Sequence, residues 1–163
     1  MKAIGGLLTC FVLLCLWVSQ SPAAPQATLE NFTLGMSVEE AAKVIELKRL
    51  TMYYENSEIP GRLSRSYRGN VLGRDEGTLD LVFRDGRLIL ITATLKGTTP
   101  ELQQSITNKH QELDSACRML YGGPAESPGP GITEWHLQEV VVSLYKGDGK
   151  IFITAFNREA LSE

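Results

Sequence analysis

Thr78-Leu79-Asp80-Leu81-Val82-Phe83-Arg84-Asp85-Gly86-Arg87-Leu88-Ile89-Leu90-Ile91-Thr92-Ala93-Thr94-Leu95 is the stretch from which the fold can be read. Leu79, Leu81 and Phe83 recur at every second position, the period of a strand with one buried face. Asp85-Gly86 then marks a two-residue hairpin, because the turn that matches strand twist needs positive φ at both central residues. Arg87 to Leu95 reads as the returning strand. Its unbroken run Leu88-Ile89-Leu90-Ile91 predicts cover on both faces.

On the C-terminal side a helix follows. Thr99 offers an N-cap, Pro100 suits the first helical position, and Leu102, Ile106, Leu113, Cys117 and Leu120 form an apolar stripe, with His110 beside it. Gly122 or Gly123 ends this helix and Pro124 reinforces the stop. Strands are expected over 132–137, 140–145 and 151–157, the last two joined at Gly147-Asp148-Gly149. On the N-terminal side, Ser37 with Glu40 makes a capping box, and Met36 can supply the hydrophobic staple. A helix should run from Val38 to about Leu50, with Ala41, Val44 and Ile45 on its inner side. Met52 to Gly61 shows little period and ends in the Pro60-Gly61 turn. Leu63 to Leu72 reads as a polar-edged strand and Gly73 to Gly77 as a turn.

Helix followed by about three strands thus occurs twice. Gly86-Arg87-Leu88-Ile89-Leu90-Ile91-Thr92-Ala93 also resembles Gly149-Lys150-Ile151-Phe152-Ile153-Thr154-Ala155 after one residue of register adjustment. Duplication and shared β-propensity both explain that likeness. The expected class is α+β: two helices packed on one face of a largely antiparallel sheet. The domain is expected over 32–158, with candidate halves 32–96 and 97–158.

The chain has 163 residues, 43% of them hydrophobic and 21% charged, which suits one globular domain and excludes a multi-span membrane protein. Met1-Lys2, the apolar run Ile4 to Val18 and the small residues up to Ala24 have the order of a cleavable secretory signal over 1–24. A flexible leader over 25–31 and a tail over 159–163 flank the domain. Loss of Lys2 moves the net charge from -3 to -4, so nucleic acid gains no global attraction. Cys10 and Cys15 leave with the signal, and Cys117 alone can form no internal disulfide. The expected location is periplasmic or secreted, with no transmembrane segment after signal cleavage.

Phe32-Thr33-Leu34-Gly35-Met36-Ser37-Val38-Glu39-Glu40-Ala41 resembles the opening of domains in the β-lactamase-inhibitor-protein and small outer-membrane-assembly-protein (BamE-like) superfamily. Leu120-Tyr121-Gly122-Gly123-Pro124 is similar to the phrase that ends their helices. The resemblance implies an exported, noncatalytic protein-binding role in the cell envelope. It carries over Gly35, Met36, Ser37, Gly122 and Pro124 as turn and capping residues, and no partner contact. The first helix lacks the family's Gly-x-Pro ending, the second lacks its Gly-Met-Ser opening, and the lipoprotein cysteine is absent.

Chemistry is sparse. No nucleophile elbow, phosphate loop or dinucleotide fingerprint occurs. His110, Asp114 and Cys117 share a helical side at ligand spacing, although the same positions suit core packing. No cofactor or metal is expected. Arg62, Arg65, Arg68 and Arg74 surround Tyr67, with Arg65 and Tyr67 on one strand side and Arg68 on the other. Arg65, Tyr67, Arg68 and Arg74, joined by Tyr53 and Tyr54, are the candidate binding residues for an acidic extracytoplasmic protein partner. A small-ligand or lipid carrier and an extracytoplasmic enzyme are the alternatives. A closed apolar cavity would mark the carrier, and a polar cleft around Cys117 or a histidine would mark the enzyme.

Overall fold

Asp85 and Gly86 take φ of 49° and 75° in the computed structural model, and the chain turns there as the dipeptide requires. The strands on either side are long: Arg74–Arg84 before the turn and Arg87–Lys96 after it. The structure describes residues 27–124 and 127–158; the signal at 1–24 with Cys10 and Cys15, and the tail at 159–163, lie outside the described residues.

In chain order the elements are β1 (Thr28–Leu29), β2 (Phe32–Thr33), α1 (Val38–Lys48), β3 (Thr51–Asn56), β4 (Arg62–Val71), β5 (Arg74–Arg84), β6 (Arg87–Lys96), α2 (Pro100–Tyr121), β7 (Ile132–Leu137), β8 (Val140–Gly147) and β9 (Lys150–Asn157). Strands β3 to β9 form one seven-stranded antiparallel sheet in the order β3-β4-β5-β6-β9-β8-β7. The two helices pack against it, giving the α+β class. No helix among the described residues is long and apolar enough to cross a membrane.

The last strands of the two halves, β6 and β9, meet at the sheet centre. Each carries Ile-Thr-Ala, and the two copies pair with each other: Ile91 with Ala155, Thr92 with Thr154, Ala93 with Ile153. The adjustment needed to align these strands in sequence has a structural cause. Val82 pairs with Leu90 while Phe83 pairs with Leu88, so Ile89 is an extra residue in a β-bulge. The bulge also accounts for the apolar run at 88–91. Leu88 and Ile91 enter the core cluster, whereas Ile89 is buried outside it. All four residues of the run are at least partly buried, so the face opposite the core is shielded at Ile89 and Leu90 although no described helix lies on it.

One face of the sheet carries the core. Cross-strand partners share a face, so Tyr67, Leu79, Ala93, Ile153 and Leu144 form one row and Leu81, Ile91, Ala155, Val142 and Trp135 the next. Ala41 of α1, Ile106 and Cys117 of α2, and Ala27 and Phe32 of the N-terminal hairpin belong to the same cluster. Both helices therefore lie on one side. Ser37 caps α1 in a full capping box with Glu40, and Thr99 caps α2 with Pro100 in its first turn. At the far end of α2, the indole N–H of Trp135 donates to the Gly122 carbonyl at 3.1 Å and ties the helix to β7.

Several expectations are corrected. β3 was not legible, since a bulge between Met52 and Tyr54 breaks its period and its residues are mostly exposed at the sheet edge. The turn expected over 73–77 shrinks to Leu72-Gly73, with φ of 53° and 75°, and β5 starts at Arg74. Gly77 lies inside β5 opposite Gly69, and only glycine fits there because a Cβ would come within 2.5 Å of the Val71 Cβ. Leu120 is 74% exposed; the helical stripe advances from Cys117 to Tyr121, which packs on the core instead. Residues 27–31, expected as leader, are folded. Ala27 is buried, and Glu30 accepts the Leu72 N–H at 3.1 Å while pairing with Lys48 at 2.7 Å. Among the described residues the first helix is followed by four strands rather than three, and β3 has no counterpart after α2.

Leu81 is fully buried in the central core row. Leu81→Ala should lower unfolding free energy by about 2–5 kcal/mol, against about 1 kcal/mol for the exposed cap change Ser37→Ala. Urea denaturation of both variants checks this ranking.

Candidate interface on the bare sheet face

Alternation sends every second residue of each strand away from the helices. On that side the row Ser66, Asp80, Thr92, Thr154, Ser143, Glu134 crosses six strands, and the Thr92 and Thr154 hydroxyls meet at 3.1 Å over the central seam. Beside it runs Arg68, Thr78, Thr94, Phe152, Tyr145, Ile132, in which the Tyr145 and Phe152 rings stack at 4.6 Å. On the other flank lies Ser64, Val82, Leu90, Phe156, Val141, His136. Val82, Ile89 and Val141 are buried yet stand outside the main core cluster, so they belong to a second apolar patch on this side.

No described helix covers this face. Its charges are unevenly spread. Arg62, Arg68 and Arg84 lie on β4 and β5, with Asp80 among them, Lys96 and Lys150 face each other at one end of β6 and β9, and Glu134 lies on the far strand, 3.1 Å from His136. The chemistry is that of a recognition surface: hydroxyls in the middle, aromatic rings beside them and guanidinium groups toward one edge.

The candidate binding residues divide between the two faces. Arg65 lies on the helix side, where its Nε donates to Glu55 at 2.6 Å. Burial alone would lower the Arg65 pKa, but the Glu55 hydrogen bond and neighbouring charges hold it above its ordinary value. Tyr67 is 4% exposed and belongs to the core; burial raises its pKa. It is a packing residue, not a contact surface. Arg68 is on the bare side, its guanidinium 4.5 Å from the centre of the Tyr53 ring. Tyr54 is exposed on the same side, beside Ser66, and its hydroxyl accepts a hydrogen bond from Asn56 at 3.1 Å. Arg74 opens β5 and lines a cleft of about 310 Å³ beside α2 with Asp75, Glu76, Lys96, Leu102 and Ser105, apart from the Arg68 cluster. Arg68, Tyr53 and Tyr54 thus come together, while Arg65, Tyr67 and Arg74 do not join them.

The turn and capping residues stand where the sequence placed them. Gly35 has φ of 90° and its N–H donates to the Leu88 carbonyl at 2.7 Å. The Met36 sulfur accepts the Thr33 N–H at 3.4 Å, and Ser37 caps α1. Gly122 closes α2 just before Pro124.

Phe152, Phe156 and Tyr145 were not singled out from sequence. The available signal was that β8 and β9 alternate core residues with aromatic ones, where a solvated face would carry charges.

The α2 constellation does not assemble. Asp114 accepts from Arg118 at 2.7 Å and Cys117 is buried. His136 and Trp135 alternate on β7 and Trp135 faces the core, so His136 lies across the sheet from Cys117. No group of three or more metal-ligating side chains comes together among the described residues. Burial, then the Lys146 charge, lowers the His110 pKa, with Asp114 opposing them. A second cleft beside α2, about 230 Å³, is bordered by Lys146, Asp148 and Lys150. Both clefts have charged rims, unlike an apolar carrier cavity.

No protein-family model, curated protein or solved structure matches this chain.

Burial, with the Asp114 charge second, raises the Cys117 thiol from an ordinary 9.0 to about 11. At neutral pH this thiol should resist a disulfide reagent until the protein unfolds, because the thiolate is the nucleophile. The unfolded chain ionises first, so the Cys117 contribution to stability is complete below pH 9.0 and is lost as pH rises toward about 11. Alkaline denaturation of the protein and of Cys117→Ala should show a shallower decline in the variant over that window.

Proposed function

We propose that this protein is an exported, noncatalytic binding module and that a protein partner docks on the bare face of its sheet. The observation that carries the reading is Phe152, Phe156 and Tyr145 on a face that no described helix covers, next to a basic flank. Aromatic side chains give large contact area at low entropic cost, and surfaces rich in them serve recognition. The secretory signal supports a periplasmic or secreted location, and the likeness of Phe32–Ala41 to the BamE-like superfamily points to the same class of activity. The arginines on β4 and β5 suit a partner that presents carboxylates to that half of the face and an apolar ridge to β8 and β9.

This places the energetic weight on Phe152, Phe156 and Arg68. Arg65, held against Glu55 on the helix side, serves as the control. Partners recovered with the native protein from its extracytoplasmic compartment should bind Phe152→Ala and Arg68→Ala variants roughly tenfold or more weakly. Arg65→Ala should bind as the native protein does. Equal affinity for all three, with folding intact by circular dichroism, would remove the bare face from the proposal.

A further inference from the structure

Five of the seven large apolar side chains left exposed among the described residues fall between positions 47 and 59: Leu47, Met52, Tyr53, Tyr54 and Ile59. Leu47 lies in the last turn of α1, the next three on β3, and Ile59 in the loop before β4. β3 is an outer strand of the sheet, and its register breaks between Met52 and Tyr54. A bulge bends an edge away from further pairing, so this edge meets its surroundings through side chains rather than a backbone ladder. The bulge also sets where those side chains lie. Met52, opposite Tyr67, is on the helix side, whereas Tyr53 lies against Arg68 and Tyr54 opposite Ser66 on the bare side. Apolar groups therefore flank the edge on both sides.

The charge along this edge is positive. Residues 43–68 hold six basic side chains against three acidic ones, a net +3 in a chain of net -3, which leaves -6 for the rest. Lys48 is engaged by Glu30 and Arg65 by Glu55. Lys43, Arg49, Arg62 and Arg68 form no ion pair among the described residues, and within the segment Glu46 and Glu58 alone are left to offset them. The Arg68 guanidinium stands instead 4.5 Å from the centre of the Tyr53 ring. Tyrosine, methionine and isoleucine beside unneutralised guanidinium groups suit a membrane–water boundary. Rings and aliphatic groups settle at headgroup depth while the cations meet lipid phosphates. A fluid boundary also accepts side chains from both flanks of one strand, which a flat rigid partner would meet on one flank only.

We infer that the β3 edge docks on an anionic lipid surface, with Met52, Tyr53, Tyr54 and Ile59 at the headgroup boundary and Arg49, Arg62 and Arg68 against the phosphates. The sheet then stands on the surface by this edge. Phe152 and Phe156, on the fifth strand from it, stay clear of the lipid. The inference does not rest on the bare-face reading, since vesicles contain no protein partner.

The test is co-sedimentation of the full chain as it is exported with vesicles of three parts phosphatidylcholine to one part phosphatidylserine. Half of the protein should be bound at or below about 1 mM lipid in low salt. Binding should fall at least about fivefold when the salt is raised from about 0.05 M to about 0.5 M. On phosphatidylcholine alone it should be at least about tenfold weaker. Arg49→Ala and Arg62→Ala should each weaken binding about fivefold. Tyr54→Ser and Ile59→Ser should each weaken it about threefold or more, with circular dichroism unchanged. Leu120→Ser, which removes an exposed apolar side chain at the far end of α2, and Phe152→Ala should bind as the native chain does. No binding up to about 5 mM lipid would overturn the inference. So would equal binding to phosphatidylcholine alone, indifference to all four edge variants, or losses as large in Leu120→Ser and Phe152→Ala as at the edge.

Discussion

Seven register pairs, from Leu90 with Phe156 to Lys96 with Lys150, join β6 to β9 and through them the two halves of the chain. Each half supplies one helix, and the core cluster includes residues from both halves. The seam aligns them: with Thr92 opposite Thr154, Ile91 and Ala93 face the helices together with Ile153 and Ala155. A one-residue slip of β9 against β6 would send Ile153 and Ala155 to the other face while Ile91 and Ala93 stayed toward the helices. The bulge at Ile89 lets the longer hairpin keep this register, because it absorbs a residue without turning Leu88 out of the core.

The same constraint produces the second surface. A sheet that spends one face on two helices and an N-terminal hairpin leaves the other to whatever the alternate positions carry. Here they carry a hydroxyl row, stacked rings and an arginine flank. This division of labour separates Arg65 from Arg68: three residues apart in sequence, one is tied down beside the helices and the other lies on the bare side against Tyr53. Recognition, on the proposed reading, belongs to the residues that alternate with the core ones along each strand. The buried thiol and the scattered histidines belong to packing and surface.

Much of the architecture was legible because its signals are local. The Ser37–Glu40 box, Thr99-Pro100, Asp85-Gly86 and the alternation of Leu79, Leu81 and Phe83 each report a short-range rule that the tertiary structure keeps. β3 was hidden because an edge strand has no buried face to impose a period, and its bulge removes what period remained. Leu120 was misplaced because the helical stripe drifts over successive turns, and Tyr121 takes the inward position. Of the candidate site, the opposed directions of Arg65 and Arg68 followed from strand geometry. The core position of Tyr67 and the aromatic character of the bare face did not, since they depend on which side the helices choose.

Hydroxyl-radical footprinting of the native protein, read residue by residue by mass spectrometry, tests the central claim that one face of the sheet is core and that the aromatic side chains of the other are only partly buried. β8 and β9 provide the comparison within single strands. Tyr145, Phe152 and Phe156 should be oxidised readily, while Leu144, Ile151 and Ile153, their immediate neighbours in sequence, stay protected until the protein unfolds. Equal protection of both sets would mean that the aromatic face is covered, and would contradict the account.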